Sequence, residues 1–401
     1  MSSHKIHQVV HSCKKLQGRI RVPGDKSMSH RALLFGALAK GETRILGLLD
    51  SADVRSTRKC LEAIGVEIQG DYADLSVGGL NKEFRKSAAS LDCGNSGTTI
   101  RLMMGLLAGC PFRTRLEGDV SLSKRPMARV AQPLSLMGAE IEMTDGNFPP
   151  LSVCGGRLSA LDYDLPHASA QVKSALLIAS LFAQGVTRLG GRIESRDHTE
   201  RMFRLFGLKL ETTENKILFE CGQELKGTTF RVPGDPSTAS FWVAAAGLVP
   251  NSHLVLEGVS LNPTRTGFFE VAKRMGIDIQ INLAEDRGEP VGDITLRGGE
   301  LKGVNIDENE IPFLIDEIPI LCILATQARG MTSIRGAREL RFKESDRIEA
   351  VAKNLRSMGV ALETFEDGLS IVGPQALVGS TIETYHDHRI AMSFAIAGLI
   401  A

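Results

Sequence analysis

Cations gather in short loops rich in Ser, Gly and Pro. Lys26, Ser27 and Arg31 stand in PGDKSMSHR, Arg101 follows GNSGTT, Lys124 and Arg125 stand in SLSKRP, and Arg196 stands in ESRDHTE. Lys343 and Arg347 stand in KESDR, and Arg389 stands in HDHR. Three of these loops open onto helix starts, where free N–H groups and the helix dipole already favour anions. Gly94-Asn95-Ser96-Gly97-Thr98-Thr99 supplies small residues, so its backbone can approach a phosphate closely. Any one of these cations alone reads as solvated surface charge. Recurrence at the same point of several repeats argues for a site. A phosphate monoester carries about −1.5 to −2 charges near neutral pH, so two ligands with a phosphate and a carboxylate each bring about −5 to −6. About eight converging cations match two such ligands and exceed the need of one. Without ligand those cations would repel each other and favour an open cleft.

Carboxylates are interleaved with the cations. Asp316 and Glu317 begin an apolar helix, and Glu344 lies between Lys343 and the Asp346-Arg347 pair. A carboxylate among cations stays ionised and can take a proton. Local sequence equally allows Asp316 as a helix N-cap and Glu344 as a salt-bridge partner. Adjacent residues in His386-Asp387-His388 do not face one point, and no further ligand spacing supports a metal. Walker, dinucleotide and nucleophile-elbow spacings are absent.

The elements that must position these residues repeat. Ala63-Ile64-Gly65-Val66-Glu67-Ile68 returns in pattern at Gly138, Gly207, Gly276 and Gly359, roughly 70 residues apart. Each copy reads as the end of an amphipathic helix, a glycine cap and an alternating strand. In step with it run six helices apolar on nearly every face, starting near Ser27, Ser96, Ser169, Ser237, Asp316 and Asp387. Such helices belong in a core, and none is long enough to cross a bilayer. Six buried helices call for six sheets. The last helix, ending at Ala401, lacks an amphipathic partner and a closing strand, so the natural chain is expected to continue.

The 401 residues suffice for two domains. The near-duplicates Arg21-Val22-Pro23-Gly24-Asp25 and Arg231-Val232-Pro233-Gly234-Asp235 stand half the chain apart and read as two crossings between domains, a hinge over a cleft. The expected domains are 21–231, and 1–20 with 232–401. As simple turns the duplicates would carry no such meaning. Lys plus Arg and Asp plus Glu both number 47, so no global field advertises nucleic acid or membrane. Seven scattered cysteines and an N-terminus without a signal-peptide stretch point to a cytoplasmic protein.

PGDKSMSHRA, LDCGNSGTTIRL, GDVSLSKRPM, SAQVKSALL, ESRDHTE, VPGDPSTAS, IDEIPIL, ELRFKESDRI and HDHRIAMS, in that order, resemble the 5-enolpyruvylshikimate-3-phosphate synthase family from about residue 15 to the end. The resemblance implies an α/β (α+β) fold, the two-domain enolpyruvyl transferase fold, with three βαβαββ units per domain around buried helices. It implies transfer of the enolpyruvyl group of phosphoenolpyruvate to the 5-hydroxyl of shikimate 3-phosphate, through a tetrahedral intermediate, with release of phosphate and no cofactor or metal. By similarity Lys26, Ser27, Arg31, Ser169, Ala170, Gln171, Arg196, Asp316 and Lys343 would hold shikimate 3-phosphate. Lys26, Gly97, Arg125, Gln171, Arg347 and Arg389 would hold phosphoenolpyruvate, with Asp50, Asn95, Thr98 and Arg101 in support. Catalytic candidates are Asp316, Glu344 and Lys26. Asp316 is assigned to the 5-hydroxyl and Glu344 to the methylene, a division the sequence leaves open.

Several segments resemble class II members, and Leu102 stands where class I carries proline. Class II members often tolerate glyphosate, whereas Gly97 is typical of sensitive ones, so only partial tolerance is expected. A monomer is expected. One rival is the sister UDP-N-acetylglucosamine enolpyruvyl transferase family, which has Lys-Asn where this chain has Lys26-Ser27 and usually a cysteine in the loop that here reads GDVSLSKRPM. The other is an anion-binding module without catalysis, which would not need the acid/base carboxylates.

Overall fold

The computed structural model describes residues 8–286 and 288–401. Five of the six buried helices start where a short polar side chain closes the first turn. Asp25 accepts from the Met28 amide ahead of Lys26–Leu38, and Ser96 from Thr99 ahead of Gly97–Leu107. Ser169 accepts from Val172 ahead of Ala170–Ser180, Asp235 from Ser237 ahead of Pro236–Leu248, and Asp387 from Arg389 ahead of His388–Ala397. Each cap contributes about 1 kcal/mol. The aspartates of the two RVPGD copies act as caps, and those helices begin at Lys26 and Pro236, beside the expected Ser27 and Ser237. The remaining helix, Ile318–Gln327, follows a 3-10 turn, Ile315–Glu317, and its N-cap Glu317 makes no side-chain cap bond. Asp316 is therefore not the N-cap that local sequence allowed. Its carboxylate faces Arg347 and Lys343.

The repeated glycines all take positive φ: Gly65 100°, Gly138 113°, Gly207 86°, Gly276 105° and Gly359 88°. Only glycine enters this region without penalty. They end the helices Ala52–Ala63, Ala128–Leu136, His198–Leu205, Gly267–Arg274 and Arg347–Ser357. Each then releases the chain into a strand.

Five four-stranded sheets form among the described residues, beside a two-stranded pair. In one, Leu91–Asp92 pairs parallel with Arg113–Glu117, which pairs antiparallel with Phe148–Cys154, with Glu140–Thr144 at the edge. The other four share that order, a parallel pair followed by an antiparallel one. The sixth sheet expected from the helix count is not present among the described residues: His388–Ala397 follows the fifth, and the chain ends at Ala401.

Two strands are exchanged between repeats. Gln17–Arg21 leads into the Lys26 helix yet pairs with His253–Ser260, and Thr229–Arg231 leads into the Pro236 helix yet pairs with Lys40–Leu46. The chain divides into two units: Pro23–Pro233 with Asp286–Glu289, and Met1–Val22 with Gly234–Glu285 and Pro290–Ala401. We call them the N-terminal and C-terminal units. Each has its own apolar core built on its buried helices. Within the N-terminal unit Gly105 lets two of them touch, since a Cβ there would sit 2.4 Å from the Ala175 carbonyl oxygen. That approach brings their first turns within reach of each other's side chains. No helix among the described residues is long and apolar enough to cross a membrane.

Candidate active site

In the N-terminal unit the first turns of three buried helices are tied together by polar side chains. Arg101 Nη1 donates to Gln171 Oε1 (2.7 Å), and Gln171 Nε2 donates to Thr98 Oγ1 (3.1 Å). Arg31, only 3% exposed, donates to Thr199 Oγ1 (2.7 Å), Ser174 Oγ (2.6 Å) and the Ser27 carbonyl (2.9 Å). Arg125 Nη2 donates to Asn95 Oδ1 (2.7 Å), whose amide donates to Asp119 (2.6 Å). A Cβ on Gly97 would lie 3.0 Å from Arg101 Nη1 and 3.3 Å from Arg125 Nη1, so both guanidinium heads hang over that glycine. Helix N-termini with cations at their rims favour negative charge.

Lys26 Nζ sits 3.3 Å from Asp53 Oδ2. Sequence reasoning did not mark Asp53. In SADVRST it reads as a first-turn acid that suits the helix dipole, and nothing local tells that its carboxylate faces Lys26. Asp50 is half exposed and is held by Arg55 (2.6 Å), which pushes its carboxyl below the usual range. Lys124 is exposed at the end of the turn Leu122–Lys124. Arg196 is partly buried, directly ahead of Asp197, the N-cap of His198–Leu205. Behind these groups runs a neutral chain: His30 Nδ1 shares a hydrogen bond with Thr57 Oγ1 (2.7 Å), Thr57 with Thr99 (2.7 Å), and Thr99 with Ser96 (2.8 Å).

The C-terminal unit gathers its residues around one buried guanidinium. Arg347, 2% exposed in its side chain, donates to Asp387 Oδ2 (2.9 Å), Asp316 Oδ1 (3.1 Å) and Glu344 Oε2 (2.8 Å). Burial disfavours its charge, but Asp316, Glu344 and Asp387 outweigh that and hold its pKa above the ordinary value. Lys343 Nζ approaches the same Asp316 oxygen at 3.6 Å. Arg389 lies 3.5 Å from Glu317, which accepts from the Ser237 hydroxyl. Arg265 donates to Ser237 (2.9 Å) and to the cap Asp235 (3.1 Å). Asp316 and Glu344, far apart in sequence, thus stand on one cation.

Among the described residues no group of His, Cys, Asp and Glu could hold a metal ion. Cys110 is buried, and burial pushes its thiol up to about 12, so it cannot serve as a reactive thiolate near neutral pH.

Comparison with known proteins points one way. The family described as EPSP synthase (3-phosphoshikimate 1-carboxyvinyltransferase) matches residues 10–401. A 3-phosphoshikimate 1-carboxyvinyltransferase of Bacillus pumilus is 47% identical over 395 residues, covering 98% of this chain and 92% of that protein. One from Thermodesulfovibrio yellowstonii is 47% identical over 402 residues, covering 99% and 94%. The solved EPSP synthase of Acinetobacter baumannii superposes with a TM-score of 0.88 at 44% identity, covering 98% of this chain and 91% of that one. The enolpyruvyl transferase NikO of Streptomyces tendae, at 17% identity and a TM-score of 0.77, shares the fold.

Proposed function

The chain belongs to the EPSP synthase family, and from that premise we propose how its residues divide the work of a 3-phosphoshikimate 1-carboxyvinyltransferase. The reaction joins phosphoenolpyruvate to the 5-hydroxyl of shikimate 3-phosphate and releases phosphate, a step of the shikimate pathway. The observation that carries the division is the cage around Arg347: two carboxylates from separate segments, Asp316 and Glu344, on one buried cation. Asp316 takes the proton of the 5-hydroxyl as the hydroxyl oxygen bonds to C2 of phosphoenolpyruvate, while Glu344, carrying a proton in the reacting complex, delivers it to the methylene and makes a methyl group. Glu344, now ionised, then takes a proton back from the methyl group as the C2–O bond to phosphate breaks, and the departing phosphate carries away the proton held by Asp316. Each proton transfer of this kind contributes about 10²–10⁴ in rate.

Lys26, Ser27, Arg31, Ser169, Ala170, Gln171, Arg196 and Lys343 take shikimate 3-phosphate. Lys26, Gly97, Arg125, Gln171, Arg347 and Arg389 take phosphoenolpyruvate, with Asn95, Thr98 and Arg101 behind them. Fixed guanidinium groups stabilise the charge on the departing phosphate without reorganising. Glyphosate as an inhibitor that the chain partly tolerates, a monomeric state and a cytoplasmic location complete the proposal.

The test is phosphate release from phosphoenolpyruvate, with shikimate 3-phosphate and UDP-N-acetylglucosamine as alternative acceptors. Release with shikimate 3-phosphate alone supports the reading. Release with the UDP-sugar alone moves the chain to the sister activity. Silence with both favours a binding module.

A further inference from the structure

Lys173 sits in the first turns of the helix Ala170–Ser180 with its side chain 2% exposed. It pairs with Glu200, itself 3% exposed, at 2.6 Å. A lysine near a helix N-terminus opposes the dipole. The second oxygen of Glu200, Oε2, is buried without a hydrogen-bond partner. A buried pair of this kind is weak evidence for stability, since apolar residues of similar volume often do as well. An unsatisfied buried oxygen calls for another explanation.

The ammonium group supplies one. Besides Glu200, Lys173 Nζ donates to the Ile193 carbonyl (3.2 Å) and the Ser195 carbonyl (3.4 Å). Its three donors therefore have three acceptors. The two carbonyls bracket Glu194 and lead straight into Arg196. Glu200 fixes the other side of the same loop, because it lies in the first turn of His198–Leu205. Thr199 beside it is held by Arg31 and Ser174. We propose that Lys173 is a positioning residue for Arg196, locking the 193–196 loop to the helix start that bears Ser169, Ala170 and Gln171. This rests on the reading of Arg196 as a ligand of shikimate 3-phosphate. Lys173 touches no reacting atom in that role. It sets where the guanidinium stands.

The test is the double variant Lys173→Met/Glu200→Met, which removes both charges together and leaves neither stranded. Its melting temperature should match or exceed that of the parent. The KM for shikimate 3-phosphate should rise roughly tenfold, the scale of a small misplacement of a binding group. The KM for phosphoenolpyruvate and kcat should stay within about twofold. In an Arg196→Gln background the same double change should add less than about twofold to the KM, because the group it positions is gone. A folded double variant with unchanged KM, or a full tenfold effect persisting without Arg196, overturns the inference. Should the double variant fail to fold, Glu200→Gln decides. It keeps Lys173 on both carbonyls, so the KM should hold within about twofold, and a tenfold rise overturns the inference. A parent chain silent with shikimate 3-phosphate sinks the functional reading and this inference with it. An active parent beside an unchanged variant sinks the inference alone.

Discussion

The two units use one repeat plan and one device, helix first turns joined by side chains, yet they equip it differently. In the N-terminal unit Arg31, Arg101 and Arg125 donate to hydroxyl, carbonyl and amide oxygens. In the C-terminal unit Lys343, Arg347 and Arg389 face Asp316, Glu344, Asp387 and Glu317. Neutral acceptors orient a guanidinium without cancelling its charge, so the first set keeps its pull on anions. Carboxylates cancel it, and in exchange the second set holds groups that can carry protons. One fold module can thus be equipped for binding or for proton transfer by changing what stands beside its arginines. Substitutions at the proton-carrying carboxylates of the C-terminal unit should therefore act on kcat, and those beside the arginines of the N-terminal unit on KM.

The largest effect should come from Glu344→Gln. The amide can still accept from Arg347 but can neither give nor take a proton, so kcat should fall by about 10²–10⁴ while both ligands bind near their parental affinities. Stopped-flow turnover and equilibrium titration read the two halves of that statement, and normal turnover would remove Glu344 from the mechanism. Next is Gly97→Ala. The new methyl meets the far ends of Arg101 and Arg125, which are flexible, so the protein should fold normally. The displaced arginines should raise the KM for phosphoenolpyruvate by roughly tenfold and weaken glyphosate at least as much. Identical constants for parent and variant would show that nothing is bound over Gly97. Asp53→Asn should do less. It releases Lys26, half-exposed at 3.3 Å, and a partly exposed pair of this kind is worth about 1 kcal/mol or less. The KM values should move by no more than about fivefold, with kcat steady. A large fall in kcat would mean that Lys26 and Asp53 work in proton transfer, which would blur the contrast between the units.

Much of this was legible in the chain. The repeated glycines take the positive φ that their positions after amphipathic helices require, and the apolar helices form the two cores. The loops that bear Lys26, Arg101 and Arg389 stand at helix starts. What stayed hidden depended on contacts between distant segments. Asp53 looks like an ordinary first-turn acid until Lys26 is set beside it. Asp316 has the local features of an N-cap, and only the 3-10 turn and Arg347, 31 positions away, show where its carboxylate goes. Lys173 falls inside an apolar helix, and no local pattern announces that its ammonium group reaches the carbonyls before Arg196. Periodicity reports which face of an element is buried. It does not report which buried polar groups find each other.

The remaining effect concerns stability rather than turnover, and it probes the neutral side of the comparison. Burial pushes His30 down from 6.5 to about 3; Asp53 pulls upward, while Lys26 and Arg31 add to the fall. Its Nε2 is buried with no partner, so a proton there would gain nothing to bind. Because the folded pKa lies below the unfolded one, the unfolded chain binds more protons between these values. The stability that His30 contributes as a neutral ring is whole above pH 6.5 and drains away as pH falls towards 3. The slope approaches about 1.4 kcal/mol per pH unit for a single group. His30→Asn keeps a hydrogen-bonding partner for Thr57 but does not titrate. In urea unfolding at a series of pH values, the stability advantage of the parent over this variant should shrink by about 1.4 kcal/mol per unit between pH 6 and 4, whatever its size at pH 7. Other groups titrate alike in both proteins and cancel from the difference. A difference that stays constant with pH would mean that His30 takes up its proton inside the fold. The chain of neutral groups behind Ser96 would then tolerate charge, and the contrast between arginines held by neutral oxygens in one unit and by carboxylates in the other would lose its neutral backing.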